Sequence, residues 1–118
     1  MPQSSDRFRF EVVSDDPDTY TLRFAPDDDL HPSLYQLLSD AIAFRVSDLT
    51  SKNTQAVRAM STKIDAFSAD LFGGGQVEMD VLHQSVHMVS FDVYAYDSLN
   101  RLKGKASCCI HFDSSGNP

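Results

Sequence analysis

Cysteine is scarce in this chain: the 118 residues hold two, Cys108 and Cys109, and they are adjacent. Neighbouring strand residues point to opposite faces, so a disulfide between them is geometrically poor. The pair reads as one core thiol and one surface thiol of a reducing compartment. Long apolar runs are also missing. No stretch approaches the length of a membrane span, and residues 1–9 hold no apolar centre of a signal peptide, so a cytoplasmic location without a membrane partner is expected. Positive charge is in deficit, ten Lys and Arg against seventeen Asp and Glu for a formal −7. Such a surface repels polyanions, which argues against nucleic acid as a partner. Internal repeats are absent.

What remains has an ordinary globular balance, 42% apolar and 23% charged, in a length that suits one domain over residues 1–118, frayed at 1–5 and 114–118. Period-two alternation marks the strands. Phe8, Phe10 and Val12 alternate with polar neighbours, and after the turn-rich residues 14–18 so do Tyr20, Leu22 and Phe24, which predicts a hairpin. Val77, Met79 and Val81 form a further set, Val89, Phe91, Val93 and Ala95 another, and Ala106, Cys108, Ile110 and Phe112 the last. Residues 55–67 predict one more strand, whose alternation changes phase near Met60 and Ser61 and so implies a bulge there.

Residues 31–49 carry Leu34, Leu38, Ile42 and Val46 at fourfold spacing, with Leu37, Ala41 and Leu49 beside them and no interior glycine, which predicts one helix, mostly enclosed. Pro32 suits its first position, and acidic residues 27–29 lie near the positive end of its dipole. Turns are expected at 97–100 and at 73–75, the latter as a hairpin turn. The order predicts an α+β fold in which a long central helix is wrapped by a curved antiparallel sheet of about six strands, a hot-dog arrangement.

The stretch 31–112, about two-thirds of the chain, resembles the hot-dog acyl-coenzyme A thioesterases of the phenylacetate-degradation type, within the 4-hydroxybenzoyl-CoA thioesterase-like superfamily. That family opens its helix with His-Gly-Gly and carries an acid nine positions after the histidine; here His31, Pro32 and Ser33 lead to Asp40 at the same spacing. Ile64, Asp65, Ala66, Phe67, Ser68 and Ala69, followed by Gly75, are similar to the end of the family's next strand. Residues 77–95 fit its long hairpin.

The resemblance implies a thioester hydrolase acting on an acyl-CoA at the interface of a homodimer or homotetramer, with no cofactor beyond the coenzyme A of the substrate and no metal. Adding water to a thioester needs a base or nucleophile and donors for the oxyanion. Read from the residues alone Asp40 is first a solvated aspartate on the helix's outer face; the family's spacing makes it the candidate base. Ser33 keeps a backbone N–H at the place of the second glycine, whereas Pro32 has none to give. His31 would orient the loop or touch the carbonyl. From a partner strand, Ser61 would place the water, with Met60 and Thr62 beside the substrate. The family's glycine followed by a basic residue is replaced by Gln84, Ser85, Val86 and His87, so phosphate binding would fall to His87, Arg101, Lys103 or Lys105. Those departures motivate an alternative, a non-catalytic hot-dog module that binds acyl groups or a protein partner. Hydratase chemistry would need a longer acidic and histidine-bearing loop than residues 26–30.

Three other patterns carry less. His83 and His87 would stand about 13 Å apart along a strand, too far to chelate. Cys109 and His111 share a strand face with Cα atoms about 6.6 Å apart, a thiol and a base with no evident orienting group. Residues 73–75 lack the strand-to-helix context of a phosphate loop, and 27–29 lack the spaced oxygens of a calcium loop.

Overall fold

The computed structural model describes residues 8–16, 18–26, 33–53, 55–66 and 73–113. Residues 1–5, 27–32 (with His31 and Pro32), 67–69 and 114–118, which carry some of the expectations above, lie outside the described set. Within it the chain runs β1 (Phe8–Asp15), β2 (Thr19–Pro26), α1 (Leu34–Asn53), β3 (Val57–Ala66), β4 (Gly75–Gln84), β5 (Met88–Asp97) and β6 (Leu102–Phe112). The strands lie in the order β1, β2, β4, β5, β6, β3, each antiparallel to its neighbour. One helix on a six-stranded antiparallel sheet is the α+β hot-dog architecture that the alternation and the single helical stripe predict.

Register explains the core. Tyr20 lies opposite Met79, Met79 opposite Val93, Val93 opposite Ala106, and Ala106 opposite Ile64, so one row of apolar side chains crosses five strands. The helix lays Leu34, Leu37, Leu38, Ala41, Ile42 and Leu49 on that face, all buried. Its opposite face is open, with Tyr35 59% exposed, so the helix is less enclosed than its wide apolar arc implied. The helix start sits close to the sheet because β6 carries glycine there: a Cβ on Gly104 would stand 2.6 Å from Leu34 Cδ2.

Three details differ from expectation. The helix runs to Asn53, one turn beyond Leu49, and ion pairs of Asp48 with Arg45 and Lys52 brace that turn. The irregularity in β3 falls between Val57 and Ala59 rather than at Met60 and Ser61. Residues 73–75 do not close a hairpin, because β3 pairs with β6 and β4 with β2 and β5. Gly75 instead begins β4 in a tight slot: a Cβ there would stand 2.0 Å from the Tyr96 carbonyl oxygen. The turn at 97–100 is as expected, with Asp97 Oδ1 accepting from the backbone N–H of Leu99 and of Arg101, both at 2.9 Å, and Asn100 at φ 63°.

Candidate active site

The helix begins in a capping box. Ser33 Oγ accepts from the Gln36 N–H at 3.2 Å, and the Ser33 N–H donates to Gln36 Oε1 at 2.9 Å, so two of the donors that a helix start leaves unpaired satisfy each other's residues. Ser-x-x-Gln is legible in the sequence. Its consequence is chemical: the backbone N–H expected to serve an oxyanion is already held by a side chain.

Asp40 lies about 10 Å along the axis from Ser33. It is half-buried and lines a groove of about 420 Å³ between α1 and β1, whose walls include Phe10, Val12, Phe44 and Ser47. The Phe10 and Phe44 rings approach to 5.4 Å between centroids. A carboxylate at the lip of a partly apolar cleft can accept a proton from a bound water with little competition from bulk solvent.

The far end of the groove holds a cluster that the sequence reading missed. Arg45 is 8% exposed; its guanidinium stacks 3.8 Å from the Tyr20 ring centroid, pairs with Asp48 at 3.1 Å and reaches Asp15 at 3.9 Å. Lys52 bridges Asp15 and Asp48, and those hydrogen bonds, Asp15's first, raise its pKa. The phenol oxygen of Tyr20 is buried near the Asp48 carboxylate without meeting hydrogen-bonding geometry among the described residues. Burial first, and then the Asp48 charge, push Tyr20 up to about 12. The available signal was an arginine standing in the apolar stripe between Ile42 and Leu49.

The other flank of α1 carries a second groove, of about 440 Å³, between Tyr35, Ser39 and Ile42 on the helix and Met60, Thr62 and Ile64 on β3. Thr62 faces the helix side, its hydroxyl 3.9 Å from the buried Cys108 sulfur. Ser61 does not: it pairs with Cys109 and lines a dent on the opposite face of the sheet. The strand's alternation therefore makes Thr62, not Ser61, the β3 hydroxyl able to face a site on the helix side.

The expected phosphate ligands are not brought together. His87 lies in the β4–β5 turn and Arg101 in the β5–β6 turn, at opposite ends of a ten-residue strand, roughly 30 Å apart. Arg101 Nε is held by Asp97 Oδ2 at 2.8 Å; the Arg101 backbone N–H, more than its side chain, holds the Asp97 carboxyl below its ordinary range. Lys103 projects half-buried from β6 with no ion pair among the described residues. No group of three metal-ligating side chains occurs among those residues, and no helix among them is long and apolar enough to cross a membrane.

This is a hot-dog fold of the kind found in thioesterases. No family model and no curated protein matches the sequence, but solved structures match the fold. The thioesterase SAV0944 of Staphylococcus aureus superposes with a TM-score of 0.64 at 10% identity, over 88% of this chain and 93% of that one. The PaaI protein from the phenylacetic acid degradation operon of Escherichia coli gives 0.64 at 15% identity, over 89% of this chain and 80% of that one. Smu.793 of Streptococcus mutans, bound to acetyl-CoA, gives 0.59 at 15% identity, over 89% of each chain.

Proposed function

We propose that this protein hydrolyses the thioester of an acyl-CoA at a site completed by a second copy of the chain. The observation that carries the reading is the Asp40 carboxylate, half-buried at the lip of the α1–β1 groove, in a fold shared with thioesterases. Asp40 acts as general base on the attacking water or as the nucleophile itself. The helix start supplies the oxyanion donor once the Gln36 side chain gives up the Ser33 N–H, and His31 lies two residues before that donor in sequence. Thr62 and Met60 come from the second copy. Support for pairing is the position of β3 at the sheet edge, where Met60 is 49% exposed; an unpaired ten-residue edge is a template for another strand. Among the expected phosphate ligands Lys103 is better placed than Arg101, which Asp97 already holds. A cytoplasmic site of action goes with a coenzyme A substrate.

The test is turnover of a panel of acyl-CoA esters, followed by release of free thiol, for the unaltered protein and for Asp40→Asn. Loss of a general base costs about a hundredfold to ten-thousandfold in rate. Equal rates would remove Asp40 from the mechanism.

The bond from the Ser33 N–H to Gln36 favours a second reading, a hot-dog module that binds an acyl group or a protein partner without turnover. Tight acyl-CoA binding by calorimetry, with no thiol released, would select it.

A further inference from the structure

The face of the sheet turned away from the helix carries a cluster that plays no part in the reaction proposed above. Cys109 Sγ lies 3.6 Å from His111 Nε2. Cys109 is opposite Ser61 on β3 and opposite Ser90 on β5, and residues directly opposed across strands bring their Cβ atoms to about 5 Å. Both serine hydroxyls are uncommitted among the described residues, whereas the neighbouring Ser107 donates to Asp92 at 3.0 Å. Cys109, Ser61, Ser90 and Lys63 line one dent of about 190 Å³. A thiol, a base touching it, two free hydroxyl donors beside it and an ammonium at the rim are the parts that nucleophilic attack on a carbonyl uses.

We propose that Cys109 is an acyl-acceptor site, taking a small acyl group from an acyl thioester by thiol exchange. The Cys109 sulfur attacks the thioester carbonyl while His111 Nε2 takes the thiol proton. The oxyanion leans on the Ser61 and Ser90 hydroxyls. Collapse breaks the bond to the departing sulfur, which recovers the proton from His111, leaving S-acyl-Cys109 and a free thiol. No oxidant or further reactant enters. Cys108, one residue away, is not an acceptor: it faces the core and is buried, and that burial raises its pKa.

The experiment uses the full chain with acetyl-CoA as donor, in the Asp40→Asn background so that hydrolysis does not consume it, read by intact mass and peptide mapping. The expected result is one acetyl group on Cys109, removable by hydroxylamine, absent in Cys109→Ser and retained in Cys108→Ala. His111→Asn slows its appearance by about tenfold or more, general-base assistance being worth about a hundredfold in an ordered site. Joint replacement of Ser61 and Ser90 by alanine slows it further. The four replaced polar residues lie on the outer face, so folding, checked by circular dichroism, is retained. Labelling of Cys109 at the same rate with and without His111, acetyl only on Lys63, or alkylation of Cys109 by iodoacetamide with no transfer from acetyl-CoA would each overturn the proposal. Because the site lies on the far face from Asp40, turnover without labelling or labelling without turnover separates this inference from the proposed hydrolysis.

Discussion

Replacing Gln36 by alanine should lower stability and raise turnover together, an unusual pair of signs that comes from the capping box. The Ser33 N–H donates to Gln36 Oε1 at 2.9 Å in a half-buried setting, a bond worth about 1 kcal/mol net. Alanine returns a few tenths of a kcal/mol through its better helix propensity, so the net loss should be about 0.5–1 kcal/mol. Urea unfolding would show this as a lower midpoint with an unchanged slope. In the proposed reaction a thioester carbonyl must take the same N–H from Gln36. Removing that competitor lowers the barrier by up to about 1 kcal/mol, roughly fivefold in kcat/KM. Gln36→Glu should act the other way, because an ionised acceptor holds an N–H about twice as strongly and adds negative charge beside the forming oxyanion. Thiol-release kinetics on one acyl-CoA ester for the three proteins is the assay. If alanine and glutamate shift kcat/KM in the same direction, or neither shifts it, the Ser33 N–H is not the oxyanion donor.

Tyr20 titrates at about 12 against an ordinary 10.0, so the folded state keeps that proton longer than the unfolded chain. The stability this confers is present in full below pH 10 and is lost as pH climbs to about 12, at most roughly 3 kcal/mol. Tyr20→Phe should flatten the alkaline limb of a stability–pH curve and leave neutral stability unchanged or slightly higher, since it removes a buried hydroxyl that has no hydrogen-bond partner among the described residues; an equally steep limb in the variant would refute the assignment. Gly104→Ala should destabilise by about 1–3 kcal/mol in urea unfolding, because its methyl would meet buried Leu34 at 2.6 Å; an unchanged midpoint would mean that the helix start yields. Met60→Asp should yield a monomer by sedimentation and lose turnover with it, since pairing of two β3 edges would bring the new carboxylates near one another. A dimer that survives the change would move the interface elsewhere.

The fold was legible because two periodicities dominate. Residues 77–95 alternate almost without interruption and become β4 and β5, and the fourfold leucines become the buried face of α1. Strand order was not legible locally. Nothing near Gly73 shows that β3 crosses to pair with β6, because that pairing is set by which apolar rows meet under the helix. Asp40 is singled out by its spacing to His31, and it lies half-buried in a groove. Ser61 comes from the resemblance without a face being assigned to it, and the structure turns it away from the helix, with the irregularity of β3 at Val57–Ala59 rather than near Met60. Arg45 went unnoticed since an arginine at a core position looks like a break in the pattern until Tyr20 supplies a ring to stack on.

That arginine bears on how a substrate could enter. The groove beside Asp40 has β1 as one wall, and β1 is an edge strand paired with β2 alone. Its far end is tied to the helix by Arg45, which stacks on Tyr20 of β2 and reaches Asp15 of β1, and by the Lys52–Asp15 pair. The exposed Lys52 pair contributes little in water, but breaking a buried pair strands a charge and costs several kcal/mol, so Arg45 is the stronger anchor. At that end Asp15 and Asp48 pair with Arg45 and Lys52, so both cations are already engaged by carboxylates. Cations held in this way offer little attraction to a polyanionic nucleotide, whereas an uncharged chain needs none. In the reaction proposed above, a thioester that meets Asp40 would therefore enter acyl end first, its phosphates remaining outside the groove.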